Sequence, residues 1–389
     1  MDALAKFFAK PMHLLYGVGF LFTAHYATLE YINSSYLNQF IPLSSVGLIY
    51  IIASFLSIIL LTRLSQLVAR FGNYWITLIF LAISTATLLG MALTHNPFLA
   101  VLFFLLHYAL IIVIRTNLDI YFEEINGKHT IGKSRGIYLT ILNVAWVASP
   151  VFVAVFVRNN RYDYLYLVST VLSVIVIYAL YKLMDPKDRI VLRHTPFWRT
   201  IMPLWRDKNI RGIFLCRFLF NFFVAWLTIY APIYLHTEIG FSWQAIGLMF
   251  TIMLLPYVLF EIPLGKLADT YLGEKELLAA GYLIMAISAA AISFITEPVF
   301  LIWLFVFFLT RVGGSFVDIM TETYFFKKAT PGDTNALEFF RDSDPAAYII
   351  APLAASFLLL FVDMRYMFFA LGIIVVAGVI VASGIEDTL

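Results

Sequence analysis

Charged residues and cysteines are scarce in this sequence. Asp, Glu, Lys and Arg make up 13% of the chain, whereas a soluble globular domain contains about 25%. Cys216 is the single cysteine, which excludes an intrachain disulfide and a cysteine metal cluster. The formal net charge of +2 gives no strongly basic face, so we expect no nucleic-acid partner.

The motifs that carry phosphate and metal chemistry are also missing. The sequence contains no G-x-x-x-x-G-K-[ST], no H-E-x-x-H and no pair of Cys or His residues at metal-ligand spacing. We therefore expect no cofactor, no metal and no catalytic residues. An intramembrane enzyme and an ATP-driven pump are both disfavoured, and energy for any transport must come from gradients.

Apolar residues are abundant. They form 62% of the chain, 37 of them are Phe, and the mean hydropathy is +0.88. Lipid must therefore be the solvent for most of the surface, and long apolar runs in lipid are helices because each helix satisfies its own backbone. The runs predict an all-α polytopic membrane protein with twelve transmembrane helices. The predicted spans are 12–34, 45–67, 74–94, 97–124, 136–158, 163–183, 210–234, 243–264, 277–296, 298–325, 336–361 and 365–384.

Lys and Arg residues predict the orientation, because short cytoplasmic loops carry an excess of both. With the N-terminus inside, the outside loops hold only Arg158, Arg161 and Arg365 of the 26 basic residues. We expect a multi-pass protein of a bacterial-type plasma (inner) membrane with both termini cytoplasmic, and we expect a monomer.

The sequence also divides into two related halves. We predict a six-helix half at 1–184, a cytoplasmic linker at 185–209 and a second six-helix half at 210–389. A shift of about 200 residues aligns Gly47-Leu48 with Gly247-Leu248, and Pro150 with Pro352. A similar shift aligns Asp119, Ile120 and Glu123 with Asp318, Ile319 and Glu322. Such parallel repeats are related by an axis along the membrane normal.

Two loops carry a degenerate motif. The stretch from Gly265 to Lys275 contains Asp269 and Gly273, and the equivalent loop at 65–73 keeps Arg70 and Gly72. Both resemble the signature G-x-x-x-D-R-x-G-R-R of the major facilitator superfamily. The copy at 65–73 lacks the first Gly and the Asp of the signature. The copy at 265–275 lacks the Arg and has one extra residue before its second Gly.

The resemblance implies the fold of that superfamily and transport by alternating access. It implies a cytoplasmic gate at these loops, in which an anion at Asp269 docks against Arg341 at the start of helix eleven. A tight loop without a gating role is the alternative. The residues assigned to the gate are Arg70, Gly72, Glu261, Gly265, Asp269, Gly273 and Arg341.

Charged residues inside apolar spans are the candidate transport site, because such groups are costly in lipid. Helix four carries an Arg–Asp–Glu stripe on one face, and helix ten repeats it. The alternative is a structural ion-pair network. The residues assigned to the substrate and proton pathway are Glu30, Arg115, Asp119, Glu123, Asn143, Arg217, Asn221, Arg311, Asp318 and Glu322.

Two other patterns bear on the function. Small residues at Ala145, Ser149 and Ala154, with Pro150, fit the spacing of an antiporter signature, although helix packing alone explains them. Aromatic residues encircle helix seven at 214–234, which predicts that many of them contact lipid or the core rather than substrate.

These patterns predict a secondary active transporter that moves a small solute by alternating access. Protons are the expected coupling ion, and efflux is favoured slightly over uptake. An uptake symporter or facilitator of the same fold is one alternative. A membrane protein that senses a ligand without moving it is another, although no long soluble output domain is present.

Overall fold

The computed structural model describes residues 11–126, 131–157, 161–183, 202, 205–267, 273–328, 340 and 343–387. The chain forms two compact units, residues 1–194 and 195–389. The predicted linker at 185–209 lies largely outside the described residues, so its bounds stay a prediction.

The described residues of the first unit form seven helices in the order predicted from the apolar runs. They are α1 (Pro11–Glu30), α2 (Asn33–Asn38), α3 (Leu43–Phe71), α4 (Asn73–Leu93), α5 (Pro97–Asn126), α6 (Ile131–Phe156) and α7 (Asp163–Leu183). Predicted helix one is divided at residues 31–32, where Ile32 closes a turn on Leu29 O.

The second unit repeats this plan with one additional break. Its helices are α8 (Lys208–Thr237), α9 (Trp243–Met253), α10 (Leu255–Leu259), α11 (Glu261–Leu267), α12 (Gly273–Ile292), α13 (Phe300–Lys328), α14 (Ser343–Leu358) and α15 (Met367–Ser383). A short 3₁₀ turn, Met364–Tyr366, precedes α15.

The helices confirm the all-α membrane fold. Among the described residues, nine helical segments are long and apolar enough to cross a bilayer. Three further helices occupy the first, fifth and eleventh predicted positions: α1, α6 and α14. The helices follow the predicted order. The count of twelve transmembrane helices is not fully confirmed, because nine described segments meet the length and hydropathy of a span.

The same pairs of helices pack together in the two units. In the first unit, α1 packs on α6 and α7, and α4 packs on α5 and α7. In the second, α8 packs on α14 and α15, and α12 packs on α13 and α15. Because each pair occupies the equivalent position in its unit, this packing agrees with the internal duplication seen in the sequence.

Close backbone contact holds the helices of the second unit. A Cβ on Gly313 of α13 would lie 2.6 Å from the carbonyl oxygen of Gly281 on α12. A Cβ on Gly372 of α15 would lie 2.7 Å from Ala286 O, also on α12. Small residues allow such approach in lipid, where van der Waals packing drives helix association.

Side-chain hydrogen bonds connect the equivalent helices of the first unit. Thr85 of α4 lies 2.6 Å from Ser173 of α7, oxygen to oxygen, and Ser84 Oγ lies 2.9 Å from His107 Nδ1 on α5. Ser169 of α7 donates to His25 O on α1 at 2.6 Å. The two units therefore use different chemistry at corresponding helix pairs.

Predicted helix eight is broken at Leu254 and at Phe260. Pro256 has no N–H to offer the carbonyl oxygen four residues earlier, so the regular ladder ends before it. Phe260 N and Leu264 N then restart hydrogen bonding at 2.9 Å each, to Pro256 O and Phe260 O. The predicted span 243–264 therefore corresponds to three consecutive helices that together form one candidate membrane span, Trp243–Gly265.

The aromatic residues of α8 favour the core over lipid, the two settings expected from the sequence. Its central aromatic side chains are buried: Phe220, Phe222, Phe223, Trp226, Tyr230 and Tyr234 are each at most 5% exposed. Phe222, Trp226 and Tyr230 follow one another at one-turn spacing, with ring centroids 5.5 and 6.2 Å apart. These rings form part of the protein core.

Candidate functional site

An ion network crosses the interior of the second unit. The guanidinium of Arg217, on α8, donates to Asp318 Oδ1 on α13. Its Nη2 lies 3.6 Å from Glu322 Oε1, one turn further along α13. Asp344, at the start of α14, adds a favourable Coulombic interaction with Arg217. Two carboxylates of α13 therefore contact one guanidinium, and a third, on α14, lies close enough to interact with it electrostatically.

Aromatic rings flank the guanidinium of Arg217. Its Cζ lies 5.4 Å from the ring centroids of Phe220 and of Phe340, at cation–π distance. Phe340 stacks on Phe325 of α13, with the centroids 4.4 Å apart. The side chain of Arg217 is 18% exposed, whereas those of Asp318 and Glu322 are 32% and 43% exposed. Water and small ions can reach the carboxylates more easily than the guanidinium.

Helix α14 contributes a polar contact beside this network. Asn221 lies one helical turn beyond Arg217, is buried, and its Nδ2 donates to Ser343 Oγ at 3.0 Å. Ser343 in turn donates to Phe340 O at 2.7 Å. Asn221, a predicted pathway residue, is thus committed to joining α8 to α14 in this conformation.

The broken helix approaches the same network. A Cβ on Gly314, one turn before Asp318, would lie 2.5 Å from the hydroxyl of Tyr257 and 3.4 Å from Phe220. Tyr257 belongs to α10, the short segment between the two breaks. Glycine at position 314 leaves room for this tyrosine against α13, so the break at Leu254 and the charges of α13 share one region.

The predicted stripe of the first unit lies in a different setting. Arg115 of α5 is exposed, whereas Asp119 is 9% exposed. Arg115 and Glu30 both lie near enough to Tyr26 to interact with it electrostatically. Tyr26 packs edge-on against Trp146 of α6, with the ring centroids 5.6 Å apart.

The two stripes match in sequence but not in environment. In the second unit, Arg311 is 1% exposed and Asp318 is partly exposed, the reverse of Arg115 and Asp119. Asp318 pairs with Arg217 on another helix, a pairing that the sequence analysis did not assign. Asn143 of α6 is partly buried.

The predicted gate is described only in part. Asp269 and Arg341, and the side chains of Glu123 and Glu261, lie outside the described residues. Arg70 is exposed, with its Cζ 5.1 Å from the ring centroid of Phe71.

Three glycines of the predicted gate have distinct settings. Gly72 ends α3 with a φ of +83°, a backbone conformation that favours glycine. Gly265 was expected to allow close helix approach, yet no described atom lies within 4 Å of its Cβ position. Gly273 has a φ of +70° and begins α12 against Asp387.

The small residues of α6 pack against α1. Ala145 and Ser149 are fully buried, and Ser149 Oγ donates to Ala145 O at 2.6 Å and approaches Ala24 O of α1 at 3.5 Å. The same holds in α14, where Ala347, Ala351 and Ala355 are buried at the contact with α8. Packing accounts for this pattern.

Comparison with known proteins agrees with this architecture. The model of the Major Facilitator Superfamily matches residues 14–247 and 213–385 of the chain. The search of curated proteins found no match to the chain. The fold and the family match define an integral, multi-pass membrane transporter. The chain belongs to the Major Facilitator Superfamily.

Solved structures of transporters share the fold. The nucleoside transporter NupG is 13% identical, with a TM-score of 0.75, and the match covers 96% of this chain and 98% of that chain. A POT family transporter, in complex with a thioalcohol conjugated peptide, is 12% identical, with a TM-score of 0.76 and coverage of 95% and 94%. At these identities the likeness establishes the fold alone.

Sequence reasoning missed several residues at the site. Phe340 and Ser343 contact Arg217 and Asn221 only because α14 packs on α8, and nothing in their local sequence signals it. Sequence reasoning also did not pair His25 with His107. The structure brings their rings to 6.1 Å between centroids. The one available signal was that both lie mid-helix in the same half.

Proposed function

We propose that this protein is a secondary active transporter that moves a small solute by alternating access, coupled to protons. The observation that carries the proposal is the Arg217–Asp318–Glu322 network within apolar spans. Ionisable groups at such depth are costly and mark ion and substrate pathways in membrane proteins. Two carboxylates on adjacent turns of α13, Asp318 and Glu322, share this one guanidinium.

The network offers a physical route for coupling. Asp318 and Glu322 are more exposed than Arg217, so a proton can reach them. Protonation of Asp318 would weaken its hold on Arg217 and free α8 and α13 to shift. In the first unit, Asp119 near Arg115 is the second candidate. The wider pathway that we assign contains Glu30, Asn143, Asn221 and Arg311.

The loops are assigned to gating. We propose that Asp269 stabilises one conformation by docking at Arg341, with Arg70, Gly72, Glu261, Gly265 and Gly273 shaping the two loops. The degenerate signature supports this assignment. The orientation with both termini in the cytoplasm is part of the same proposal, supported by the distribution of basic residues. A bacterial-type inner membrane and a monomeric state complete it.

Direction and substrate are the finer parts of the proposal. We favour efflux because α6 matches the spacing of the antiporter signature, although packing explains its small residues equally well. Uptake by the same fold is the second candidate. The substrate panel should include nucleosides and short peptides, because NupG is a nucleoside transporter and the POT family structure holds a conjugated peptide.

The coupling role is tested by replacing Asp318 with Asn in reconstituted vesicles. We expect Asp318→Asn to fold, to exchange solute at near wild-type rates, and to lose accumulation against a gradient, since the residue can no longer take up a proton. The measurement is counterflow and uphill uptake of the solute panel, with and without a pH gradient. Asp363→Asn, an exposed carboxylate between α14 and α15, is the control.

Two outcomes would argue against this role. If both Asp318→Asn and Asp119→Asn fold normally and still accumulate solute with unaltered pH dependence, the charged stripes are not the coupling site. If no solute undergoes counterflow although some bind, the protein is a ligand sensor.

A further inference from the structure

The segment after α15 contacts the ends of three other helices in the second unit. Glu386 and Asn209, the latter in the first turn of α8, exchange two hydrogen bonds. Glu386 N donates to Asn209 Oδ1 and Asn209 Nδ2 donates to Glu386 Oε2, each at 3.1 Å. Ile385 is 4% exposed, and its Cγ1 would lie 2.8 Å from a Cβ on Gly212 of α8. We call residues 384–387 the terminal strap.

The strap also holds α13. Tyr324 donates its hydroxyl to Glu386 O at 2.7 Å. Glu386 therefore joins α8 to α13, the two helices that carry Arg217 and Asp318. Asn209 precedes Arg217 by eight residues, about 12 Å along the helix, and Tyr324 follows Asp318 by six residues, about 9 Å. The joint lies roughly two turns from the ion pair on each helix.

A separate contact fixes the position of the strap. Asp387 Oδ1 accepts a hydrogen bond from Lys275 N at 2.9 Å, in the first turn of α12. A carboxylate at this position satisfies a free N–H and the positive end of the helix. A Cβ on Gly273 would lie 2.6 Å from the same oxygen. Glycine at the start of α12 therefore makes room for Asp387.

We propose that Glu386 is a positioning residue for the Arg217–Asp318 ion pair, which it serves by fixing the spacing between α8 and α13. The contribution of this pair to transport rests on the proposed function above. The mechanical link between the strap and the ion pair does not depend on the proposed function. When the strap is intact, the two helices meet at the distance at which the guanidinium spans Asp318 and Glu322. When the strap is released, the ion pair is weakened as well.

A strap that only caps helix ends would behave differently. It would contribute to stability independently of a charge pair two turns away, because effects at sites without shared partners add. A positioning role requires that the stability effects of releasing the strap and of removing the ion pair do not add. The difference is measurable on the full-length protein without knowledge of the substrate.

The test is a double-mutant cycle on thermal unfolding of the full-length protein in detergent. Tyr324→Phe removes only the hydroxyl that binds Glu386 O, and Asn209→Ala removes both bonds to Glu386. We expect each to lower the unfolding midpoint in the wild-type background. In the Asp318→Asn background we expect less than half of that shift, since the ion pair is already lost. Equal shifts in the two backgrounds would overturn the proposal.

Matched controls isolate the contact. Glu276→Ala removes one exposed carboxylate from the first turn of α12 and should shift the midpoint equally in both backgrounds. Glu386→Gln keeps the backbone groups and a side-chain oxygen, so it should retain most of the coupling. If Asn209→Ala does not fold, Tyr324→Phe alone decides the result. A positive cycle with no proton-coupled transport would refute the proposed function and leave the positioning role intact.

Discussion

At the residue scale, one glycine in the second unit lies directly against the backbone of a neighbouring helix. A Cβ on Gly313 would lie 2.6 Å from a backbone oxygen and 2.8 Å from Met285 N, neither of which can rotate away. By contrast, no described atom lies within 4 Å of the Cβ position of Gly265, although both glycines lie in helices. The sequence alone does not distinguish the two, because the difference depends on which face each helix presents to its neighbour.

This contrast gives a stability prediction. Gly313→Ala forces α12 and α13 apart, and overpacking of this kind costs about 1–3 kcal/mol. Gly265→Ala should leave the free energy of unfolding unchanged or slightly raised, because alanine favours helix. Reversible unfolding of both variants in mixed micelles measures the difference. Equal stability of the two variants would contradict the close contact between α12 and α13.

The charged residues show where residue-level reasoning succeeds and where it stops. The sequence identified Arg217, Asp318 and Glu322 as expensive charges in apolar spans, and the structure brings all three together. It did not identify Arg217 as the partner of Asp318, because α8 and α13 are separated by some 100 residues of chain and their relative rotation is set by packing. The sequence analysis grouped Asp318 with Arg311 in one stripe of helix ten instead.

At the scale of elements, apolar runs predicted the helices well and their interruptions less well. The run at 163–183 coincides with α7, and the run at 97–124 with most of α5. The break in predicted helix eight follows from Pro256, which is visible in the sequence. Proline is nevertheless tolerated in membrane helices when neighbours satisfy the freed groups, and Pro150 lies within a continuous α6. The proline alone could not decide between a kink and a break.

Corresponding helix pairs reach similar packing by different chemistry. The pair α12–α13 packs backbone against backbone at Gly313, whereas the equivalent α4–α5 packs Gly90 against the ring of Phe103 and adds the hydrogen bond between Ser84 and His107. Sequence comparison of the two halves could align Asp119 with Asp318 but could not show this divergence. Hydrogen bonds between membrane helices contribute about 0.6 kcal/mol on average, so neither solution dominates the stability of its unit.

At the scale of the whole molecule, the orientation remains a prediction that one experiment decides. Reporter proteins fused after Arg161 and after Arg193 should report opposite sides of the membrane, because α7 lies between them and basic residues favour the cytoplasmic side. The Arg193 fusion should be cytoplasmic. A fusion after Arg211, on the same side as Arg193, is the control. Reporters on the same side after Arg161 and Arg193 would contradict the topology.

The central claim is that a proton gradient drives solute movement through this protein. The most direct measurement is solute accumulation in vesicles containing the wild-type protein, with pH recorded inside by a trapped dye. The account predicts that an imposed pH gradient drives at least one solute of the panel above its equilibrium level, and that adding this solute without a gradient changes the internal pH. Solute exchange without accumulation and without a pH change, for every solute of the panel, would contradict proton coupling.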